Sequence, residues 1–185
     1  MNCAQVLRVD KTGFPVSWLT PQAASLFICA DRVLWFHGDV SIVLRGGTNH
    51  QGQRSELGIP AIIATQGVDK AAKDTPALSN QLLFLRDNYT CLYCGIRFAS
   101  RDLSRDHIIP VSRGGADTWT QVVTSCKRCN NQKADRTPEE AGMQLLAVPF
   151  VPSRHEVLFL SNRRILGDQM DFLRSGIRAG LLNTA

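Results

Sequence analysis

Three side chains between residues 106 and 130 have the types that metal-assisted hydrolysis requires. Asp106 and His107 are adjacent in the segment SRDHIIP, and Asn130 directly follows Cys129 in CKRCNNQK. Histidine accepts a proton near neutral pH because its ordinary pKa is about 6.5. Carboxylate and amide oxygens suit Mg²⁺ or Mn²⁺, which keep coordination positions for water and phosphate. An isolated Asp-His pair is more often a plain surface feature, so its meaning depends on the residues around it.

Four of the six cysteines form two C-x-x-C pairs, Cys91–Cys94 and Cys126–Cys129, with 31 residues between the pairs. Four thiolates suit tetrahedral zinc, and Gly95 suits the positive φ that such knuckles often need. Redox chemistry or a disulfide is the alternative for one pair, but it does not explain the second pair. A metal held by four protein sulfurs has no open position, so we expect a structural zinc rather than a catalytic one. The isolated Cys29 lies in an apolar run and is expected to be buried.

Positive charge is concentrated around the cysteine pairs. The chain has 21 lysines and arginines against 16 acidic residues, which gives a net charge of +5. Between residues 86 and 136, nine basic side chains are opposed by five aspartates, so this segment carries +4 of the total. Such a segment is compatible with a nucleic-acid partner. The nine are Arg86, Arg97, Arg101, Arg105, Arg113, Lys127, Arg128, Lys133 and Arg136.

The composition predicts a globular protein without a membrane span. Hydrophobic residues make up 44% of the chain, which is too many for a disordered protein. No apolar run approaches the roughly 20 residues that cross a bilayer, and the first residues lack the pattern of a secretory signal. Since the cysteines suit a metal better than disulfides, we expect a soluble, cytoplasmic protein.

Local patterns predict helices and strands before the cysteine pairs. Thr20 followed by Pro21 is a good helix start, and this helix should run to about Ala30. The segments VLWF and VSIVLR are rich in β-branched and aromatic residues, so we expect two paired strands there. The small and polar stretch 65–76 predicts a linker or surface loop, and a short helix should follow over residues 79–87.

After the cysteine pairs, the patterns predict further helix. The segment TPEE at 137–140 has the N-cap threonine, the proline and the glutamate of a capping box. The tail has helix-forming composition, with Leu158, Phe172 and Leu173 near one face. We expect an amphipathic helix packed on the domain. A DNA or dimer contact through its arginines is the alternative.

The segment from about Leu85 to Met143 resembles the cysteine-clustered form of the HNH endonuclease family. The resemblance rests on RDHIIPVSRGG followed by CKRCNNQK, with LRDNYTCLYCG and RTPEEAGM at the flanks. It implies an α+β chain with a ββα-metal (His-Me finger) core and two zinc knuckles. We therefore expect a small mixed α/β region at 1–78, an HNH nuclease domain at 79–145 and a C-terminal helical extension at 146–185.

The resemblance also implies roles for the candidate residues. His107, at a strand end, is the expected general base, and Asp106 and Asn130 are the expected ligands of a catalytic Mg²⁺ or Mn²⁺. Because neighbouring residues on a strand point to opposite faces, we expect a bulge or turn at 106–107 that aims both side chains at the metal. The expected phosphate contacts are Arg105, Arg113, Lys127, Arg128 and Lys133.

One position departs from the family pattern. The asparagine that the family places before the second strand is replaced by Gln121, in the segment WTQVV. In the family, this asparagine braces the loop that carries the histidine through backbone hydrogen bonds. Glutamine has the same donors and acceptor on a longer arm, so we expect Gln121 to brace the loop less rigidly.

Together, these features predict a metal-dependent endonuclease that cuts or nicks DNA, with RNA as an alternative substrate. Structural Zn²⁺ and catalytic Mg²⁺ or Mn²⁺ are the expected cofactors. The competing interpretation is a catalytically weakened zinc module that binds nucleic acid, or that binds a protein partner through its N-terminal region in a larger assembly. The set of Asp106, His107 and Asn130 favours the enzyme, since a binding module has no physical need for it.

Overall fold

The computed structural model describes residues 4–66, 75–162 and 164–182. These residues form two compact units. One combines the described residues before position 67 with those from 154 to 182, and the other spans 75–153. The helices of the expected C-terminal extension at 146–185 therefore group with the N-terminal strands. Most of the expected linker at 65–76 lies outside the described residues.

The chain has a mixed α/β fold, as the sequence predicted. In the first unit the elements are β1 (Val6–Val9), β2 (Pro15–Leu19), α1 (Pro21–Cys29), β3 (Val33–Thr48) and β4 (Arg54–Thr65). The second unit contains α2 (Asn80–Arg86), β5 (Leu103–His107), β6 (Val122–Cys126) and α3 (Lys127–Lys133). The first unit is completed by α4 (Arg154–Ser161), α5 (Gly167–Arg174) and α6 (Ala179–Leu182). Among the described residues, no helix is long and apolar enough to cross a membrane.

The first unit is built on a four-stranded sheet with the order β2-β1-β4-β3, in which only β1 and β4 are parallel. Alternation along β1 sends Val6 to one face and Leu7 to the other. On one face, Val6 packs with Ala24 of α1; on the other, Leu7 packs with Leu158 of α4 and Leu173 of α5. Helices therefore bury both faces of the central strands.

The expected helix after Thr20 is confirmed, because the Thr20 hydroxyl accepts from the Ala23 N–H at 3.2 Å and α1 ends at Cys29. Cys29 itself is exposed rather than buried, since it occupies the last position of the helix. The expected strand pair was wrong. VLWF and VSIVLR are parts of one strand, β3, and Gly38 between them, with a φ of +82°, sits at an irregularity in its pairing with β4.

A buried arginine joins α2 to the start of β6 in the second unit. The helix is confirmed at Asn80–Arg86, with Ser79 as its N-cap. Arg86 is 3% exposed, and its guanidinium donates to the carbonyls of Trp119 at 2.6 Å and Val122 at 3.0 Å. Arg86 thereby fixes where β6 begins, which sets the position of the residues opposite it on β5.

The structure differs from the expected helices at TPEE and in the C-terminal tail. At TPEE the capping contacts form, since Thr137 and Glu140 each accept a hydrogen bond from the other's backbone N–H. Only a turn follows, because Gly142 has a φ of +64° and ends it. The tail forms separate helices: Leu166 is extended, with a ψ of 159°, and occupies the N-cap position of α5.

Gln169 of α5 provides a test of the first unit. Its side chain is fully buried, and its amide nitrogen donates to the carbonyls of Gln5 and Ala61, both at 2.8 Å. Gln169→Met should destabilise the protein by about 2 kcal/mol, because the buried carbonyls lose this donor. Urea unfolding measures the effect. Gln51→Met, at an exposed position in the β3–β4 turn, is the control and should leave the unfolding midpoint unchanged.

Candidate active site and metal centre

The candidate catalytic residues lie on the strand β5 and on the helix α3, and the strand β6 pairs with β5 and leads into α3. β5 and β6 pair antiparallel from Leu103 opposite Cys126 to His107 opposite Val122, and α3 begins directly after β6. A bulge or turn was expected at 106–107; the pairing is regular, so there is no bulge, and the strand ends at His107. His107 is the last residue of β5, and side chains from both faces of the strand can reach one site where the strand ends.

Asp106 is buried and held from two sides. It is 5% exposed. The Tyr93 hydroxyl donates to its Oδ2 at 2.5 Å, and the Lys133 ammonium donates to its Oδ1 at 3.2 Å. Burial and the neighbouring carboxylate raise the pKa of Tyr93 far above its ordinary value, so this hydroxyl stays protonated and donates. Each carboxylate oxygen keeps a further lone pair for another ligand.

Lys133 occupies a different environment from the one expected of a phosphate contact. It is 1% exposed, and its ammonium also donates to the His107 carbonyl at 2.7 Å. A lysine that contacts a DNA phosphate needs its ammonium group at the surface. The Lys133 ammonium is buried and donates to Asp106 and to the His107 carbonyl instead. Lys133 therefore neutralises the buried carboxylate and fixes the backbone from which both catalytic candidates project.

Asn130 lies in the middle of α3 and is half-buried. Its Nδ2 donates to the Ser104 hydroxyl at 2.9 Å. The assignment of Nδ2 as the donor leaves the amide oxygen as the atom that can bind a cation. Asn130, Asp106, His107 and Lys133 line one cavity of about 300 Å³. The structure thus brings together the three residues that the sequence selected.

His107 is engaged by an aspartate that the sequence did not select. Its Nε2 lies 3.1 Å from Oδ1 of Asp117, and Oδ2 of Asp117 accepts from Arg105 at 2.5 Å. The Arg105 guanidinium lowers the pKa of the Asp117 carboxyl below its ordinary value. An ionised carboxylate only accepts hydrogen bonds, so the proton in this contact belongs to Nε2 of His107.

Two residues that contact the site, Tyr93 and Asp117, were missed from the sequence. Alternation along β5 could have predicted which side chains share a face of the strand: Arg105 and His107 share one face, and Asp106 lies on the other. It could not show which distant side chain meets each face. Tyr93 comes from the first cysteine pair and Asp117 from the β5–β6 loop, and only the fold brings them to the strand.

Gln121 contacts the loop between β5 and β6. Its amide oxygen accepts from the Ala116 N–H at 2.9 Å, and its backbone carbonyl accepts from the Ile108 N–H at 2.9 Å. These are backbone hydrogen bonds of the kind that a loop-bracing residue makes. The same loop needs glycine at Gly115, where a Cβ would lie 1.8 Å from the carbonyl oxygen of Ile109.

The remaining basic candidates fall into two groups. Lys127 and Arg128, at the start of α3, are exposed. Arg105 and Arg113 are bound within the protein instead: Arg105 to Asp117, and Arg113 to both carboxylate oxygens of Glu140, at 2.7 and 2.8 Å. Lys127 and Arg128 are therefore better placed to meet a phosphate than the two arginines.

The four cysteines converge on one point. The sulfurs of Cys91, Cys94, Cys126 and Cys129 all lie within 4.8 Å of one another, and three of the four residues are buried. Burial opposes ionisation of Cys91, but backbone N–H groups outweigh it and lower its pKa to about 7, while burial raises the pKa of Cys129. Sulfurs packed this closely cannot all ionise without a cation among them, so the set is positioned to bind a metal ion such as zinc.

Comparisons with known proteins identify a family for part of the second unit. Residues 91–146 match the family model described as HNH endonuclease. Among solved structures, the type II-C Cas9 enzyme from Actinomyces naeslundii is 21% identical over 51% of this chain and 14% of its own length. Its TM-score of 0.27 does not establish a common overall fold. No curated protein matches the chain. The family match confirms the expected resemblance and supports a nuclease-type function in general terms.

Cys94 tests the metal centre. Cys94→Ser should lower the metal content of the purified protein and reduce the melting temperature of the second unit, because a structural metal contributes folding free energy directly. Metal analysis and calorimetry measure the two effects. Cys29→Ser is the matched control, since Cys29 is exposed and lies outside the cluster. An intact melting temperature in Cys94→Ser would show that the cluster does not stabilise the fold.

Lys133 tests the buried ion pair. Lys133→Met should destabilise the protein by about 3 kcal/mol in urea unfolding, because Asp106 would be left as an uncompensated buried charge. Lys127→Met removes an exposed lysine from the same helix and should change stability little. Adding Asp106→Asn to Lys133→Met should recover part of the loss. If the double variant is no more stable than Lys133→Met, the ion pair does not account for the effect.

Proposed function

We propose that this chain, whose residues 91–146 form an HNH-type domain, is a metal-dependent endonuclease that hydrolyses phosphodiester bonds of DNA. The observation that carries the proposal is the meeting of Asp106, His107 and Asn130 at one cavity. A base and two oxygen ligands at one site are what hydrolysis of a phosphodiester needs. The cluster of four cysteines would hold a structural zinc, which suits a reducing, cytoplasmic compartment.

His107 is the proposed general base. Asp117 accepts the proton of its Nε2, which leaves Nδ1 as the nitrogen with a free lone pair. Nδ1 would take a proton from the attacking water, and Asp117 would stabilise the imidazolium that forms. An aspartate that fixes the tautomer and orientation of a catalytic histidine has this effect in other hydrolytic sites.

Asp106 and Asn130 are the proposed ligands of the divalent ion. Both side chains are suited to a divalent ion. The Asp106 carboxylate keeps lone pairs beyond its two hydrogen bonds, and the Asn130 amide oxygen remains an acceptor. A bound Mg²⁺ or Mn²⁺ supplies charge stabilisation for the phosphate and the leaving oxygen. Lys133 holds the Asp106 carboxylate in place and offsets part of its charge, which favours a loosely held ion.

Lys127 and Arg128 are the proposed phosphate contacts, since both are exposed at the start of α3. Contacts to phosphate carry no sequence information, so binding should be salt-sensitive and largely tolerant of sequence. Arg105 and Arg113 would have to leave Asp117 and Glu140 to reach a phosphate. They are the weaker candidates.

One contact favours a second candidate function, a zinc module that binds nucleic acid without cutting it. The Lys133 ammonium already pairs with Asp106, so a cation is present where the proposed ion would be bound. If this pair outcompetes a divalent ion, the domain would bind nucleic acid without hydrolysing it. Cleavage assays decide between the two functions.

His107→Ala is the direct test of catalysis. Wild-type protein with Mg²⁺ or Mn²⁺ should convert supercoiled plasmid to nicked or linear DNA. His107→Ala should reduce the rate at least about 100-fold, the usual contribution of a general base, while plasmid binding persists. Agarose gels and a filter-binding assay measure cleavage and binding.

His50→Ala is the matched control, because His50 lies in the exposed β3–β4 turn and should leave cleavage unchanged. EDTA should abolish the activity of the wild type. If folded, metal-loaded protein binds DNA but cuts neither DNA nor RNA with any divalent ion, the zinc module is the correct function.

A further inference from the structure

We propose that Tyr93 is a positioning residue for the reaction, which holds the Asp106 carboxylate in the orientation that binds the divalent ion. The inference rests on the proposed function and adds a role for a residue of the first cysteine pair. Tyr93 does not touch the water or the phosphate. It acts through Asp106.

The geometry of the contact supports this role. The Tyr93 hydroxyl lies 2.5 Å from Oδ2 of Asp106, which makes it the shorter of the two contacts that hold the carboxylate. Lys133 binds the other oxygen and is less directional, since an ammonium group is a compact charge with three rotatable donors. The hydroxyl, with its single donor, therefore directs Oδ2 of Asp106 more closely than the ammonium directs Oδ1.

The backbone around Tyr93 is held on both sides. The Leu92 N–H donates to the Thr124 carbonyl on β6, and the Leu92 carbonyl accepts from Leu146, both at 2.9 Å. On the other side, the Gly95 N–H donates to the Cys91 carbonyl at 2.9 Å. The Tyr93 side chain also packs against the cluster of Cys91, Cys126 and Cys129. Closure of the cysteine cluster thus determines where the hydroxyl lies.

Loss of the hydroxyl should affect the divalent ion more than the fold. Without the Tyr93 hydroxyl, the contact with Lys133 is the one that remains to the carboxylate among the described residues, and the carboxylate can turn towards the ammonium. Residues that orient a metal ligand typically contribute about 10- to 100-fold to metal affinity or activity. Tyr93→Phe keeps the ring that packs on the cysteines and removes only the oxygen. The cluster should therefore keep its zinc.

The experiment compares Tyr93→Phe with wild type and with Tyr89→Phe. Tyr89 is the other tyrosine of the chain, and it packs against a different set of core residues in the same unit. Mn²⁺ binding to the zinc-loaded protein is measured by electron paramagnetic resonance, together with zinc content, melting temperature and the Mn²⁺ dependence of plasmid cleavage. Tyr93→Phe should bind Mn²⁺ about 10-fold more weakly, with full zinc content, and should recover most of its cleavage rate at high Mn²⁺. Tyr89→Phe should match the wild type.

The outcomes separate this inference from the proposed function. Wild-type Mn²⁺ affinity in Tyr93→Phe overturns the positioning role and leaves the nuclease intact, as does an equal loss in both tyrosine variants. If wild type binds Mn²⁺ in a manner abolished by Asp106→Asn but cuts no DNA, the proposed function fails. Weaker Mn²⁺ binding in Tyr93→Phe would then still support the positioning role. If the wild type binds no Mn²⁺, both are overturned.

Discussion

The convergence of four sulfurs to within 4.8 Å of one another is the constraint on which the candidate site depends. The first cysteine pair lies in the loop before β5, and the second joins the end of β6 to the start of α3. Closing the cluster therefore brings that loop against the strand pair and the helix. Asp106 of β5 is contacted by Tyr93 from the loop and by Lys133 from the helix. On the proposed function the cluster takes no part in the chemistry, yet it determines which side chains surround the carboxylate.

On the proposed function, the Asp106–Lys133 pair explains how the site can be stable before an ion binds. A buried carboxylate alone is costly, and removing one partner of a buried pair leaves an uncompensated charge. Because Lys133 is 1% exposed and paired, the carboxylate is nearly neutralised in the resting protein. A divalent ion then gains less from Asp106 than it would from a free carboxylate. On the proposed function, the phosphate oxygens of DNA supply the missing negative charge, so the ion and the substrate should favour each other's binding.

Sequence patterns predicted the parts of this site better than the contacts between them. The cysteine spacing indicated one metal centre, and the motif residues Asp106, His107 and Asn130 do line one cavity. Lys133 was expected to contact phosphate and therefore to be exposed, as lysine usually is; a helix of seven residues offers too little periodicity to show a buried face. The strand β3 was divided wrongly because its continuity comes from pairing with the next strand, β4, which the composition of the two segments does not show. Burial and pairing are set by the fold, so local patterns cannot supply them.

Gln121 is connected to His107 through the loop backbone and Asp117. Its amide oxygen binds the N–H of Ala116, the residue directly before Asp117. Asp117 in turn accepts from His107 and Arg105, so the brace reaches the histidine through the loop backbone and one carboxylate. The longer arm of glutamine, compared with asparagine, allows it to reach this far into the loop. Asp117 is held by Arg105 as well, and the orientation of His107 therefore does not depend on Gln121 alone.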